Sequence, residues 1–180
     1  MAVFTKSEID ARWHIWQMFR DGAIALVNCE SLLDEIVEDL ADADYVVHVC
    51  DAASGNKVAF EKAIRSSLGF PDGRPGKTNL DALNGYVGDI EFPNRTGIVV
   101  VVKHIHQLHE AEANYVNHII DIFAREAWYH LCFGNRLMLI LHTDDPDIQF
   151  GSVASRQPVR VQRILGAKNP VAIPSNPNTA

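Results

Sequence analysis

Cysteine is scarce in this chain: Cys29, Cys50 and Cys132 are an odd number without C-x-x-C spacing, which argues against a disulfide framework or a thiolate zinc site. Cys132 has no evident base partner and Cys50 sits inside a β-branched run, so nucleophilic chemistry is not expected at either. No apolar run reaches the roughly 18 residues needed to cross a bilayer. The start, Met1-Ala2-Val3-Phe4, passes into a charged amphipathic stretch without a signal-peptide core. A cytoplasmic protein is expected. Positive charge is also short, with 16 Lys and Arg against 23 Asp and Glu, a net charge of −7. Nucleic-acid binding is disfavoured, because it depends on cations that neutralise phosphates. An acidic body suits a basic partner better, although a solvated acidic face also serves solubility. What is present is ordinary for a globular protein: 180 residues, 47% hydrophobic, enough for a full core in one domain with extensions.

The periodicity predicts a first helix over Glu8 to Arg20, capped by Ser7 with Asp10 three residues on, its apolar side built from Ile9, Trp13, Trp16 and Phe19 or Met18. Asp21-Gly22 ends it. Ala23 to Val27 is a short strand, or a buried helical turn. From Ser31, Leu32, Leu33, Ile36, Val37 and Leu40 mark an amphipathic helix whose other face carries Asp34, Glu35, Glu38 and Asp39. Tyr45 to Cys50 reads as a strand, Lys57 to Leu68 as a helix, and Ile98 to Val102 as a buried parallel strand. Ala111 to Leu131 forms a long helix stopped by Gly134-Asn135, and Leu137 to Leu141 is the last buried strand. Strands separated by helices imply a parallel sheet with right-handed crossovers.

Beyond Pro146 the composition changes, with five of the eight prolines in the last 35 residues and one short patterned stretch, Val159 to Leu165. An extension or tail, poorly ordered at its end, is expected there. The division reads as an N-terminal extension over residues 1–44 packed on the core, a main domain over 45–145, and a C-terminal extension over 146–180.

The most informative stretch is Asn79-Leu80-Asp81-Ala82-Leu83, which opens a helix just after a Pro/Gly-rich loop. At about 100° per residue, Leu80, Leu83 and Val87 share one stripe while Asp81, Gly85, Gly88 and Asp89 face the other way. With Ala124-Arg125-Glu126-Ala127 on the long helix, and with the order strand, helix, Pro-containing loop, NLDAL helix, buried strand, long helix, buried strand over roughly residues 45–145, the chain resembles the barstar family. Members of that family are intracellular, non-catalytic inhibitors that plug the active site of a ribonuclease toxin. The resemblance implies an α/β fold, a small parallel β-sheet flanked by helices. It implies an immunity protein or antitoxin that needs no cofactor and has a basic ribonuclease as its partner. The chemistry is coherent, since a ribonuclease presents cations to its substrate and a carboxylate satisfies the same donors.

Carried over by residue, Asp81 matches a family acid and Glu126 a second one. The strongest family acid falls on Gly85 and the tryptophan before it on Asn84. Thr78 flanks the helix start, and Asp89, a turn beyond Gly85, is placed to contribute the missing charge if the helix reaches it. The loop Gly73-Arg74-Pro75-Gly76-Lys77-Thr78 has no tyrosine where the family supplies an aromatic contact. These departures leave the identity of the toxin open.

Other signals have plainer readings. Gly76-Lys77-Thr78 looks like the end of a phosphate-binding loop, but Pro71 stands where that loop needs glycine, and a helix precedes it instead of a strand. Thr78 or Asn79 serves better as an N-cap, and Asp81 in the first turn complements the helix dipole. His104, His106, His109 and Glu110 form the one metal-like cluster, without a recognisable ligand spacing. A second reading is therefore a small metal-dependent hydrolase using His104, His106 and His109. A third is a binding module that keeps the fold for another partner and uses Trp13, Trp16 and the acidic helix after Ser31.

Overall fold

The computed structural model describes residues 4–20, 22–71, 77–92, 97–151, 158–162 and 171–173. The described elements are α1 (Lys6–Ala11), α2 (Trp13–Arg20), β1 (Ile24–Val27), α3 (Glu30–Asp42), β2 (Val46–Asp51), α4 (Lys57–Ser67), α5 (Leu80–Gly88), β3 (Ile98–Lys103), α6 (Ile105–Cys132), β4 (Leu137–His142), β5 (Val159–Gln162) and β6 (Val171–Ile173). They build one six-stranded sheet in the order β2-β3-β4-β1-β5-β6. Its first five strands run parallel, and only β6 is antiparallel to its neighbour. The fold is thus α/β with a parallel sheet flanked by helices.

The β-branched run Ile98-Val99-Val100-Val101-Val102 is buried at every position, as are Leu137 to His142. Such strands are covered on both faces, which is the normal condition of a parallel sheet. Going from β1 to β2 the chain crosses two strands in one direction, and from β2 through β3 to β4 it returns in the other. With right-handed crossovers, α3 then lies on one face and α4, α5 and α6 on the other. The contacts of α6 with α4 and α5 agree. At the sheet's edge β2 is less covered, and Val49 is half exposed.

Two expectations from the sequence are corrected. The first helix is two, divided at Arg12 (φ −137°, ψ 57°), whose guanidinium donates to the Asp42 carbonyl at the end of α3, 3.0 Å away. The cap is Thr5 rather than Ser7. Thr5 accepts from the Glu8 N–H while the Glu8 carboxylate accepts from the Thr5 N–H at 2.7 Å, a complete capping box. The break also rotates the apolar face, so that Ile15, Met18 and Phe19 are buried while Trp13 stacks on Trp16 and is half exposed. The long helix, secondly, starts at Ile105 rather than Ala111. Glu112 departs from helical geometry (φ −145°, ψ 51°) and divides it, so the expected start coincides with the interruption. Within the extension beyond Pro146, β5 and β6 join the sheet, with β5 pairing directly on β1. Asp21 and residues 163–165 lie outside the described residues.

Residues before Tyr45 are tied into the sheet as well as packed on it. β1 lies between β4 and β5, with Ile24 opposite Leu139 and Val27 opposite His142. The buried Arg136 guanidinium donates to Glu8 at 3.0 Å and to the Tyr45 hydroxyl at 3.3 Å, and it stacks on the Phe4 ring. Burial opposes ionisation of Glu8, but its bonds from Thr5 and Arg136 prevail and hold its pKa below the ordinary value.

Candidate partner-binding site

The helix α5 follows from local chemistry. Asn79 is its N-cap, its side-chain carbonyl accepting from the Ala82 N–H at 3.0 Å, and Asp81 in the first turn complements the positive end of the helix dipole. Leu83 and Val87 are fully buried against the core. Despite its two glycines the helix runs to Gly88, and Asp89 is its C-cap.

What fixes its position is a buried polar network that sequence reasoning missed. Glu61 and Arg65 of α4 are each 2% exposed. The Glu61 carboxylate accepts from the Arg65 guanidinium at 3.1 Å, from the Asn79 backbone N–H at 2.8 Å and from the Tyr115 hydroxyl at 3.0 Å. Arg65 in turn donates to the Asn79 carbonyl at 3.2 Å and lies over the Tyr86 ring, which stacks on Phe70. Burial and the neighbouring Glu61 charge push the Tyr115 hydroxyl pKa up. One acceptor thus gathers donors from three helices at the point where α5 begins. Glu61 and Arg65 stand at i,i+4 spacing, which surface ion pairs on helices share, so spacing alone does not mark them as buried. The available signal is their place directly after Phe60 and Ile64 on the apolar stripe of α4.

The far side of α5 rests on α6. Asn84 accepts a hydrogen bond from Arg125, which also pairs with Glu126 at 3.2 Å. The Glu126 side chain is only 12% exposed. A Cβ on Gly88 would stand 3.1 Å from its carboxylate oxygen. Gly88 therefore faces α6 and not the solvent, a correction to the helical-wheel reading, because α6 flanks α5 on that side. The His130 ring donates to the Val87 carbonyl at 2.9 Å. Asp81, Gly85 and Asp89 are exposed, and a Cβ on Gly85 would meet nothing within 4 Å. Thr78 is half-buried beside the cap. The face that α5 presents is therefore Asp81, Gly85 and Asp89, with Asn84 and Glu126 held at its border. Residues Gly73 to Gly76 of the preceding loop lie outside the described residues.

The histidines gather elsewhere, at the C-terminal edge of the sheet. β3 ends at Lys103, and His104 takes a left-handed conformation (φ 55°, ψ 37°) and caps α6, so His104 and His106 do not share a strand face. Its Nδ1–H donates to Asp51 at 3.0 Å. Burial would raise the Asp51 pKa, but the bonds from His104 and the Ala53 N–H outweigh it and the pKa is lowered. His109 turns away to pack on Phe150. Among the described residues, no group of three or more His, Cys, Asp or Glu is arranged to hold a metal ion. Cys50 is buried and its thiol is pushed up to about 12.

His142 is 1% exposed, with both ring nitrogens lacking a hydrogen-bond partner among the described residues. Burial lowers its pKa below the ordinary 6.5, against the pull of Asp144 and Glu30, and burial lowers that of His109 as well. The folded chain thus binds fewer protons at these sites than the unfolded chain does. Their contribution to stability is complete above pH 6.5 and declines as pH falls through that value toward the lower folded pKa. Urea midpoints should decrease from pH 7.5 to pH 5.5, above the range where Glu8, Glu30 and Asp51 protonate. His142→Gln should flatten that decline.

A family model described as Barstar (barnase inhibitor) matches residues 45–137. No curated protein sequence matches the chain. Similar solved structures include the ORC2 protein of Aeropyrum pernix in its ADPNP-ADP complexes, at 13% identity and a TM-score of 0.46, covering 79% of this chain. This chain spans 42% of that one, and a likeness so weak bears on neither fold nor activity. No helix among the described residues is long and apolar enough to cross a membrane. The family model covers more than half of the chain, over the segment that carries the NLDAL helix and its supports, and the chain belongs to the barstar family.

Proposed function

We propose that the protein is a non-catalytic inhibitor, an immunity protein or antitoxin, that occludes the active site of a ribonuclease with the exposed face of α5. The observation that carries this reading is the mounting of Asp81. It is exposed, in the first turn of a helix whose start is held by Asn79, Glu61 and Arg65, and it makes no ion pair among the described residues. A carboxylate held rigidly and left without a counter-charge is ready to meet the cations of a basic active site, at little cost in ordering. Gly85 and Asp89 continue that face; Asn84, Glu126 and Thr78 border it. The role requires no cofactor and agrees with an intracellular site of action.

The net charge of −7 implies long-range steering toward such a partner. Association with the ribonuclease should therefore slow as ionic strength rises, while dissociation changes less. Stopped-flow rates at low and high salt measure this. A rate indifferent to salt would point to an apolar interface such as the Trp13 helix, and removal of residues 1–20 would then abolish binding.

A further inference from the structure

Three of the five large apolar side chains exposed among the described residues lie within six positions at the end of α6: Trp128 at 69%, Tyr129 at 52% and Phe133 at 68%. Nothing in the domain's core requires rings there, since Ala127 and His130 supply the buried side of the same turns. Tyr129 packs edge-on to Phe133, with ring centroids 5.0 Å apart, and also contacts His130. Clustered exposed rings of this kind mark an interaction surface more often than scattered apolar residues do.

Two features define the occupant. Two of the rings continue from the border of the α5 face, because Arg125, Tyr129 and Phe133 follow one another at i, i+4 and i+8 along α6 and its C-cap, and Arg125 is the residue that holds Asn84. The surroundings are also negative: the exposed Asp89 and Glu91 lie on the segment between Val87 and Phe92, both of which contact His130, and the carbonyl end of α6 adds its dipole. Among the described residues, the guanidinium beside these rings, that of Arg125, is paired with Glu126. Aromatic faces set in an acidic rim bind guanidinium groups through the ring quadrupole.

We propose that Trp128, Tyr129 and Phe133 form a second docking patch, one that receives arginine side chains from the surface of the same basic partner that α5 engages. The proposal rests on the inhibitor reading for the partner's identity and on the geometry for its chemistry.

The test uses the full chain and a nona-arginine peptide, with nona-glutamate as control. Chemical-shift mapping should show the Trp128 indole and the Tyr129 and Phe133 ring signals moving with nona-arginine and not with nona-glutamate. Trp128→Ser and Phe133→Ser together should weaken binding by at least about fivefold. Binding without movement of these rings, or no binding, overturns the proposal; the wild-type mapping decides even if the double variant fails to fold. Inhibition of basic ribonucleases is assayed separately. Inhibition with silent rings removes the patch and leaves the inhibitor reading. Moving rings with no ribonuclease inhibited remove that reading and leave a surface for another basic protein.

Discussion

Glu61→Ala should lower the unfolding free energy by about 3–5 kcal/mol, because it leaves the Arg65 guanidinium buried without its counter-charge. It also removes the acceptor of the Asn79 N–H and the Tyr115 hydroxyl. Each donor left unpaired in the interior adds to the cost. Since those donors belong to the start of α5 and to α6, the loss should be felt at α5 before the sheet. Hydrogen exchange at residues 79–83 should accelerate more than exchange in β3 or β4. Glu61→Gln keeps an acceptor in place and should cost less. Denaturant unfolding measures the first effect, and a loss under about 1 kcal/mol would mean that the network does not hold the helix.

The second large effect concerns binding. Asp81→Asn should weaken ribonuclease binding by about 2 kcal/mol or more, roughly thirtyfold, since it keeps the side chain's shape and removes the charge. Its cost to the fold should stay within about 1 kcal/mol, the usual worth of an acid in a first turn. Gly85→Asp gives the companion result. Because a Cβ there meets nothing within 4 Å, the free protein accommodates the substitution, and any change in affinity belongs to the partner. Exposed helical glycine is costly, so close approach of the partner's backbone is the expected reason for it. Gly85→Asp should then weaken binding of the natural ribonuclease. Tighter binding would identify Gly85 as a lost contact instead.

Local pattern made most of the sheet legible. Ile98 to Val102 and Leu137 to Leu141 are continuous apolar runs, the pattern of a strand buried on both faces. Asn79-Leu80-Asp81 was legible as a helix start because cap and first-turn acid fall together. What escaped depended on contacts distant in sequence. The break at Arg12 is tied to the Asp42 carbonyl, thirty residues on. The Glu61 carboxylate is defined by Asn79 and Tyr115, neither of which marks it in the sequence. Gly88 faced outward on a helical wheel, but only the placement of α6 shows that Glu126 occupies that side. The left-handed backbone of His104, which turns the chain from β3 into α6, is marked by no local pattern. The pairing of β5 on β1 joins residues more than a hundred positions apart, beyond the reach of periodicity.

The most direct measurement of the central claim is a titration of ribonuclease activity with the full chain, across a panel of basic ribonucleases of the barnase type. One of them should lose its activity at a one-to-one ratio, and the Asp81→Asn chain should restore most of that activity at the same ratio. If no ribonuclease is inhibited, or if the Asp81→Asn chain inhibits as fully as the wild type, α5 is not the plug of a ribonuclease active site.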